Sequence, residues 1–238
     1  MKNYNRFSAK ALKAIAAVVC IIRALLTSGA AITAYISRKN KKLQPNETTD
    51  FIIWNLPAVF TCPGRTGHCT KDCYALSAEN YRPNVRACRV RNYLFSRLPI
   101  FTDYMTDKIL KIAARSKKKY IIVRVHESGD FYNLAYVNKW LEIMQRCSVD
   151  PRIRFIAYTK SFRFFDGMTL PKNFSLRASV WDDTPEADLE IIRRNGWPIY
   201  TAVDKFRKGD HFTPCPCKDC ARCRKCWQGY KDIRCLIH

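Results

Sequence analysis

The sequence predicts an α/β fold: a parallel sheet of βα units forming a partial (β/α) barrel, with a small cysteine-rich metal-binding tail. Three observations predict it. From residue 51 onward, short β-branched or apolar runs alternate with helical stretches, the order that builds parallel sheets through right-handed crossovers. Residues of unusual chemistry follow the strand-like runs, where parallel sheets place their ligand sites. Six of the 12 cysteines crowd into residues 215–235, a spacing that suits a metal or iron–sulfur cluster better than a set of strained short-range disulfides.

The chain divides into three parts. Residues 1–36 form an N-terminal helical extension. Lys2, Arg6, Lys10 and Lys13 precede the apolar run Ala14–Ile22, and Ser28-Gly29-Ala30 has the small residues of a cleavage site. A membrane span over 14–36 would hold Arg23 near its centre, at a cost of about 2.5–3.5 kcal/mol. The segment therefore reads as a helix packed on the domain or as a signal or membrane segment, and Ala30–Ser37 as a strand entering the basic turn Arg38–Lys42.

Residues 37–203 hold the α/β unit. Phe51–Trp54 is a strand closed by Asn55-Leu56-Pro57. Tyr74–Arg97 and Pro99–Lys117 read as helices, with Phe101, Met105, Ile109 and Ile112 at helical spacing. Tyr120–Val125 is a β-branched strand ended by the turn former Ser128-Gly129-Asp130. Tyr136, Val137, Trp140, Leu141 and Met144 make a helical stripe, and Ile153–Tyr158 and Phe174–Trp181 are the next strands. Asp183-Thr184-Pro185-Glu186 starts a helix that runs to Asn195-Gly196, and Trp197–Val203 gives a last strand. With about five or six strands, the sheet is either open and doubly wound or a partial barrel. Residues 204–238 are the cysteine-rich tail.

Composition narrows the classes. Hydrophobic residues at 47% and charged residues at 26% exclude a disordered or collagen-like chain. The clustered thiols favour a reducing compartment, the cytoplasm of a host cell. Lys and Arg number 42 against 20 Asp and Glu, a net +22, densest at the two ends. A field of this sign attracts phosphate backbones and other anions, so a nucleic acid on the basic surface and a membrane surface at residues 14–36 are the partners it suggests; solubility alone would account for it equally.

Two cysteine groups carry the chemistry. Cys62, Cys69 and Cys73 lie on one loop after the first strand. Three thiolates are a thin set for structural zinc, which takes four protein ligands. A [4Fe–4S] cluster held by three cysteines keeps one iron for a cofactor, and in number and position the loop resembles radical S-adenosylmethionine enzymes. It departs from them in its gaps of six and three residues and in Tyr74, which follows the last cysteine where those enzymes have an aromatic just before it. His68 is an alternative fourth ligand that would close a Cys3His zinc site. In the tail, Cys215, Cys220, Cys223 and Cys226 have spacing close to that of ferredoxins and of zinc ribbons, so a second iron–sulfur cluster or a zinc is expected there. Cys217 and Cys235 are spares, with His211 and His238 as possible substitutes; Cys20, Cys88 and Cys147 read as small core residues.

The loops after two later strands supply the remaining candidates. His126, Glu127, Asp130 and Lys160 are expected to act in catalysis, and Arg124, Glu127, Asp130 and Tyr158 to contact the cofactor. A carboxylate would hold an amino group, and histidine would move protons. Glu127-Ser128-Gly129-Asp130 is equally a good strand-to-helix turn.

Several strings taken together, Asn55-Leu56-Pro57-Ala58, Cys62-Pro63-Gly64, Cys69-x3-Cys73-Tyr74-Ala75, His126-Glu127-Ser128-Gly129-Asp130-Phe131, Ala157-Tyr158-Thr159-Lys160-Ser161, Leu170-Pro171-x-Asn173 and the tail with Cys226-Trp227 and His238, resemble the phage "gene product 88" family. The resemblance runs in order from about Ser37 to His238. It implies a phage or mobile-element protein of a cysteine-cluster, radical-enzyme-like type, and it specifies no substrate. Two functions are thus expected: an iron–sulfur protein that uses S-adenosylmethionine, or a zinc-stabilised basic protein that binds nucleic acid without catalysis.

Overall fold

The computed structural model describes residues 34–203, 205, 212–215, 219–229 and 231–236. Thr49–Trp54 (β1), Tyr120–Val125 (β2), Ile153–Thr159 (β3), Phe174–Val180 (β4) and Ile199–Val203 (β5) lie side by side in chain order. Ile233–Leu236 (β7) joins β5, and Thr213–Pro214 (β6) pairs outside β7. All seven strands are parallel, and the sheet curls into a half-barrel. The α/β partial barrel that the sequence predicts is thus the fold observed. The crossovers carry Gly67–Lys71 (α1), Tyr74–Tyr81 (α2), Pro83–Ser96 (α3), Phe101–Arg115 (α4), Leu134–Cys147 (α5) and Glu186–Asn195 (α6); the tail adds Cys220–Cys223 (α7) and Lys225–Gln228 (α8).

Strand periodicity sorts side chains onto two faces. On the outer face, Ile52, Trp54, Val123, Val125 and Phe155 pack against Met105 and Ile109 of α4 and Val137, Trp140 and Met144 of α5. On the inner face, Phe51, Ile53, Ile122 and Ile156 meet Ala221 and Trp227 of the tail. Both faces are covered, which is why β1 and β2 read as nearly continuous apolar runs. Each large side chain buried this way contributes about 1.5–3 kcal/mol.

Local chemistry moves several expected boundaries. The helix expected over Tyr74–Arg97 is two helices, because Pro83 holds Arg82 extended (φ −131°, ψ 89°) and takes the first position of α3. Pro185 stands just before α6, while Gly196 closes it in the left-handed conformation (φ 62°). The last strand expected in the α/β unit starts at Ile199, two residues late. Of the strand expected at Ala30–Ser37, the described residues contribute one antiparallel bridge, Ser37 to Ile53. Cys147 is buried as expected of a core residue, whereas Cys88 is only half-buried. β6 and β7 come from the stretch read as a metal-binding tail alone. Residues 1–33, with Cys20 and Arg23, and Cys217, His211 and His238 lie outside the described residues, among which no helix is long and apolar enough to cross a membrane.

Candidate functional site

The carboxyl ends of β1 to β4 bring the sequence motifs to one rim. The loop after β1 is tied to the loop after β2 by four hydrogen bonds. Asn55 Oδ1 accepts from the amides of Glu127 (2.8 Å) and Ser128 (3.1 Å), the Leu56 amide donates to Ser128 O (2.9 Å), and Ser128 Oγ donates to Leu56 O (2.9 Å). Gly129 makes this approach possible: its φ is +79°, and a Cβ there would stand 2.6 Å from the Leu56 Cβ. Asp130 then locks β2 to β3. Its Oδ1 accepts from Phe131 N (2.8 Å) and Thr159 Oγ1 (2.7 Å), and its Oδ2 from Lys160 N (2.8 Å).

On this base sits the cysteine loop. Thr66 caps α1, its hydroxyl accepting from the Cys69 amide at 3.2 Å, and Cys73 caps α2 with its own sulfur, which accepts from the Leu76 amide at 3.4 Å. Cys62, Cys69 and Cys73 are free thiols, each half-buried, and each lies within the electrostatic reach of the other two. Their sulfurs are not all gathered within 4.8 Å of one another, among the described residues. A single tetrahedral ion with bonds of about 2.3 Å needs them closer; a four-iron cube holds its thiolates farther apart. Burial pushes the Cys62 thiol well above its ordinary value, with the Asp130 carboxylate adding to the rise. Burial raises Cys69 too, and the Lys160 cation opposes it.

Lys160 is the expected catalytic residue placed with the thiols. Its Nζ donates to Ser179 O (2.8 Å) and Ser179 Oγ (3.2 Å) and lies 5.7 Å from the centre of the Trp181 ring. Burial lowers its pKa to about 8, against the pull of Cys69, Asp130, Asp183 and Cys62. Asp130 is beside them, but both its oxygens are engaged in the lock. Glu127 hydrogen-bonds through its side chain to Asn40, and its carbonyl accepts from the Tyr74 hydroxyl.

His126 faces elsewhere. It is buried, with its ring centre 4.7 Å from that of Phe131 and its Nε2 2.9 Å from the Tyr136 hydroxyl, in the aromatic layer under α5. Desolvation lowers its pKa to about 3, so it is neutral there. Arg124 and Tyr158 lie on the inner face, the guanidinium carbon 3.7 Å from the centre of the Tyr158 ring, and their neighbours are the tail cysteines Cys220 and Cys226.

His68 is occupied as well. Its Nδ1 lies 2.6 Å from Asp182 Oδ1 and its Nε2 3.0 Å from Asp72 Oδ2, while its amide donates to Asp183 Oδ2 (2.7 Å). The ring packs on Trp181, centroids 4.6 Å apart. The Asp182 contact favours its protonated form. These contacts clasp α1 to the loop after β4. The sequence reads Trp181 as the end of a strand and Asp183 as the start of a helix, and assigns neither of them, nor Asp182, to a site; their position at a strand's carboxyl end is the signal. A cavity of about 230 Å³ lies at the opposite, amino end of the strands, lined among others by Arg154, Phe174, Trp197 and Trp227, away from the rim thiols.

A family model, gene product 88, matches residues 34–229. The Gene 88 protein of Mycobacterium phage L5 is 31% identical over 107 residues and that of Mycobacterium phage D29 31% identical over 106, each match covering 42% of this chain. The matched part spans 43% of the length of either relative. No solved structure matches.

Proposed function

The chain belongs to the gene product 88 family, and from that premise and the rim thiols we propose that it is a phage-type iron–sulfur protein in which Cys62, Cys69 and Cys73 hold a [4Fe–4S] cluster at the carboxyl rim of the half-barrel. One observation carries the proposal: a single loop directly after β1 presents three free thiols, each in reach of the other two, with a buried lysine beside them.

The donor set fits the group. Thiolates are the ligands that iron–sulfur clusters take, and the Lys160 ammonium offsets part of the negative charge they would acquire. A cluster held by Cys62, Cys69 and Cys73 would bind S-adenosylmethionine and, given an electron from an external reductant, would supply radical chemistry. This chain's residues would do the rest. Gly64 and Gly129 let the loop dock, Asp130 fixes the β2 and β3 loops beneath it, and Trp181 with the His68 clasp shields one side from water. Lys160, with a pKa of about 8, is the group placed to hold or release a proton near Cys69.

Anaerobic reconstitution with ferrous iron and sulfide tests this. The expected result is a brown protein with sulfide-to-iron charge-transfer absorption that Cys62→Ala, Cys69→Ala or Cys73→Ala removes from the rim. Uptake of zinc alone, with no visible absorption, would overturn it and favour the zinc-stabilised nucleic-acid-binding class.

A further inference from the structure

The tail cysteines lie apart from the rim. Cys220 and Cys223 bracket α7 and Cys226 lies on α8, and both helices rest on the inner face of the sheet, where Ala221 and Trp227 are buried among Phe51, Ile53, Ile122 and Ile156. Hydrogen bonds to the sheet and to the chain that leads into β1 hold this segment in place. Ser175 Oγ donates to Cys226 O (2.8 Å), Arg224 Nη2 donates to Thr48 Oγ1 (2.7 Å), and the Cys220 amide donates to Lys42 O (3.1 Å).

The face under these thiols carries positive charge. Arg177 is fully buried, and its guanidinium donates to the carbonyls of Cys226 (2.9 Å), Lys231 (3.0 Å), Lys225 (3.0 Å) and Gly229. Arg124 stacks on Tyr158, and its charge reaches both Cys220 and Cys226. Among the described residues, neither arginine forms an ion pair with a carboxylate. A buried cation such as Arg177 is costly without a counter-ion, and carbonyl dipoles offset only part of that cost. Thiols cannot supply the missing charge while protonated. They do so when a metal displaces their protons. The Tyr158 hydroxyl lies beside the Cys226 sulfur, placed to donate to it once the sulfur is anionic.

We propose that Cys220, Cys223 and Cys226 hold a second, thiolate-bound metal centre on the inner face of the sheet, and that Arg124 and Arg177 balance its negative charge. As at the rim, these three sulfurs are not all gathered within 4.8 Å of one another, among the described residues, so the ligand is an iron–sulfur cluster rather than a single zinc ion. Cys215, expected from spacing to join this set, is placed beside Cys235 instead. Its amide donates to Arg234 O (2.6 Å) in continuation of the β6–β7 register, and both cysteines adjoin Tyr200.

The test uses the full chain carrying Cys62→Ala, Cys69→Ala and Cys73→Ala, which removes the rim set. One portion is exposed anaerobically to ferrous iron and sulfide and another to Zn2+, both are washed with chelator, and metal per chain is measured. Iron retained in the first portion, and lost on adding Cys220→Ser and Cys223→Ser, is the expected result; retention of zinc alone would overturn the cluster. No retention in either, or retention that ignores the tail substitutions, would overturn the second centre. Should the rim-substituted chain fail to fold, the wild-type chain and its Cys220→Ser/Cys223→Ser variant are compared: one centre fewer supports the proposal and equal metal defeats it. Equal metal in wild-type and rim-substituted chains would defeat the rim cluster and leave the tail centre standing.

The charge balance has its own readout. Arg124→Gln is expected to weaken metal retention against chelator by about 10- to 100-fold, and Arg124→Lys, which keeps the charge, to restore most of it. Equal losses in the two variants would show that Arg124 acts by packing alone.

Discussion

Gly64 and Lys160 are packed backbone to backbone: a Cβ at position 64 would stand 2.0 Å from the Lys160 carbonyl oxygen and 2.5 Å from its carbon. This contact seats the cysteine loop on the rim of β3, two residues past Cys62. Neither partner can give way, because the Lys160 amide is held by Asp130. Gly64→Ala is therefore expected to cost about 1–3 kcal/mol by overpacking and to lower iron incorporation at the rim. Chemical denaturation and iron analysis of the reconstituted variant check this; a variant with wild-type stability and wild-type iron would show that the loop docks differently.

The two thiol groups should part company under substitution. Cys69→Ala should abolish rim cluster absorption while leaving most of the chain folded, since α1 is short and none of its residues is buried. Cys223→Ala should lower the stability of metal-loaded protein, because a metal bound within the structure contributes folding energy directly. Thermal denaturation with and without chelator measures both. Equal loss of folded protein from the two variants would contradict the division.

His126 sets a pH dependence. Its pKa is 6.5 in an ordinary setting and falls to about 3 when buried, so below about pH 6.5 the unfolded chain binds a proton that the folded chain refuses. Its contribution is complete above that pH and drains away as pH falls toward 3, by up to about 1.4 kcal/mol per pH unit. Burial raises the Asp130 carboxyl, which acts with the opposite sign, so the comparison must be between wild type and variant. His126 has a φ of 65°, and asparagine tolerates that backbone best. Between pH 7.5 and pH 5, wild type should lose about 2 kcal/mol more than His126→Asn in urea titrations; parallel titrations would place His126 in water.

Glu79 and Arg89 form a buried ion pair at 2.9 Å, and the Glu79 carboxylate also accepts from the Ala58 amide at 2.8 Å. The pair fastens α2 and α3 to the loop that leads to Cys62. Glu79→Ala should cost about 3–5 kcal/mol by stranding the buried guanidinium. Adding Arg89→Leu should recover a good part of it. A double variant as unstable as the single one would shift the weight to the Ala58 contact.

How far the sequence could be read follows from what each element depends on. β1 to β4 and α5 were legible because their apolar periodicity reports local geometry and burial together. The three rim cysteines were legible as a group because one loop carries them all. The Arg82–Pro83 break was written in the sequence, but the apolar spacing on either side of it masked the proline. β6 and β7 were not legible: two and four residues long, they are strands only because the sheet offers them an edge. The orientation of His126 was not legible either. Its neighbours suggested a rim loop, yet the positive φ turns its ring toward Tyr136, ten residues later on another element. The role of Arg177 depended on carbonyls some 50 residues away in the chain (48 to 54 positions), which no local pattern announces.

The strand order has a consequence for assembly. β7 lies between β5 and β6, although β6 precedes it in the chain, so β6 has no partner to join until β7 has been synthesised and docked. Until β7 is made the sheet ends at β5, and its inner face, with Arg124, Arg177 and Tyr158, lacks its cover. Closure comes last, when the stretch from Cys220 to Leu236 folds back across that face. The segment that brings the thiols is thus also the cover of that face, so ligands and cover arrive together.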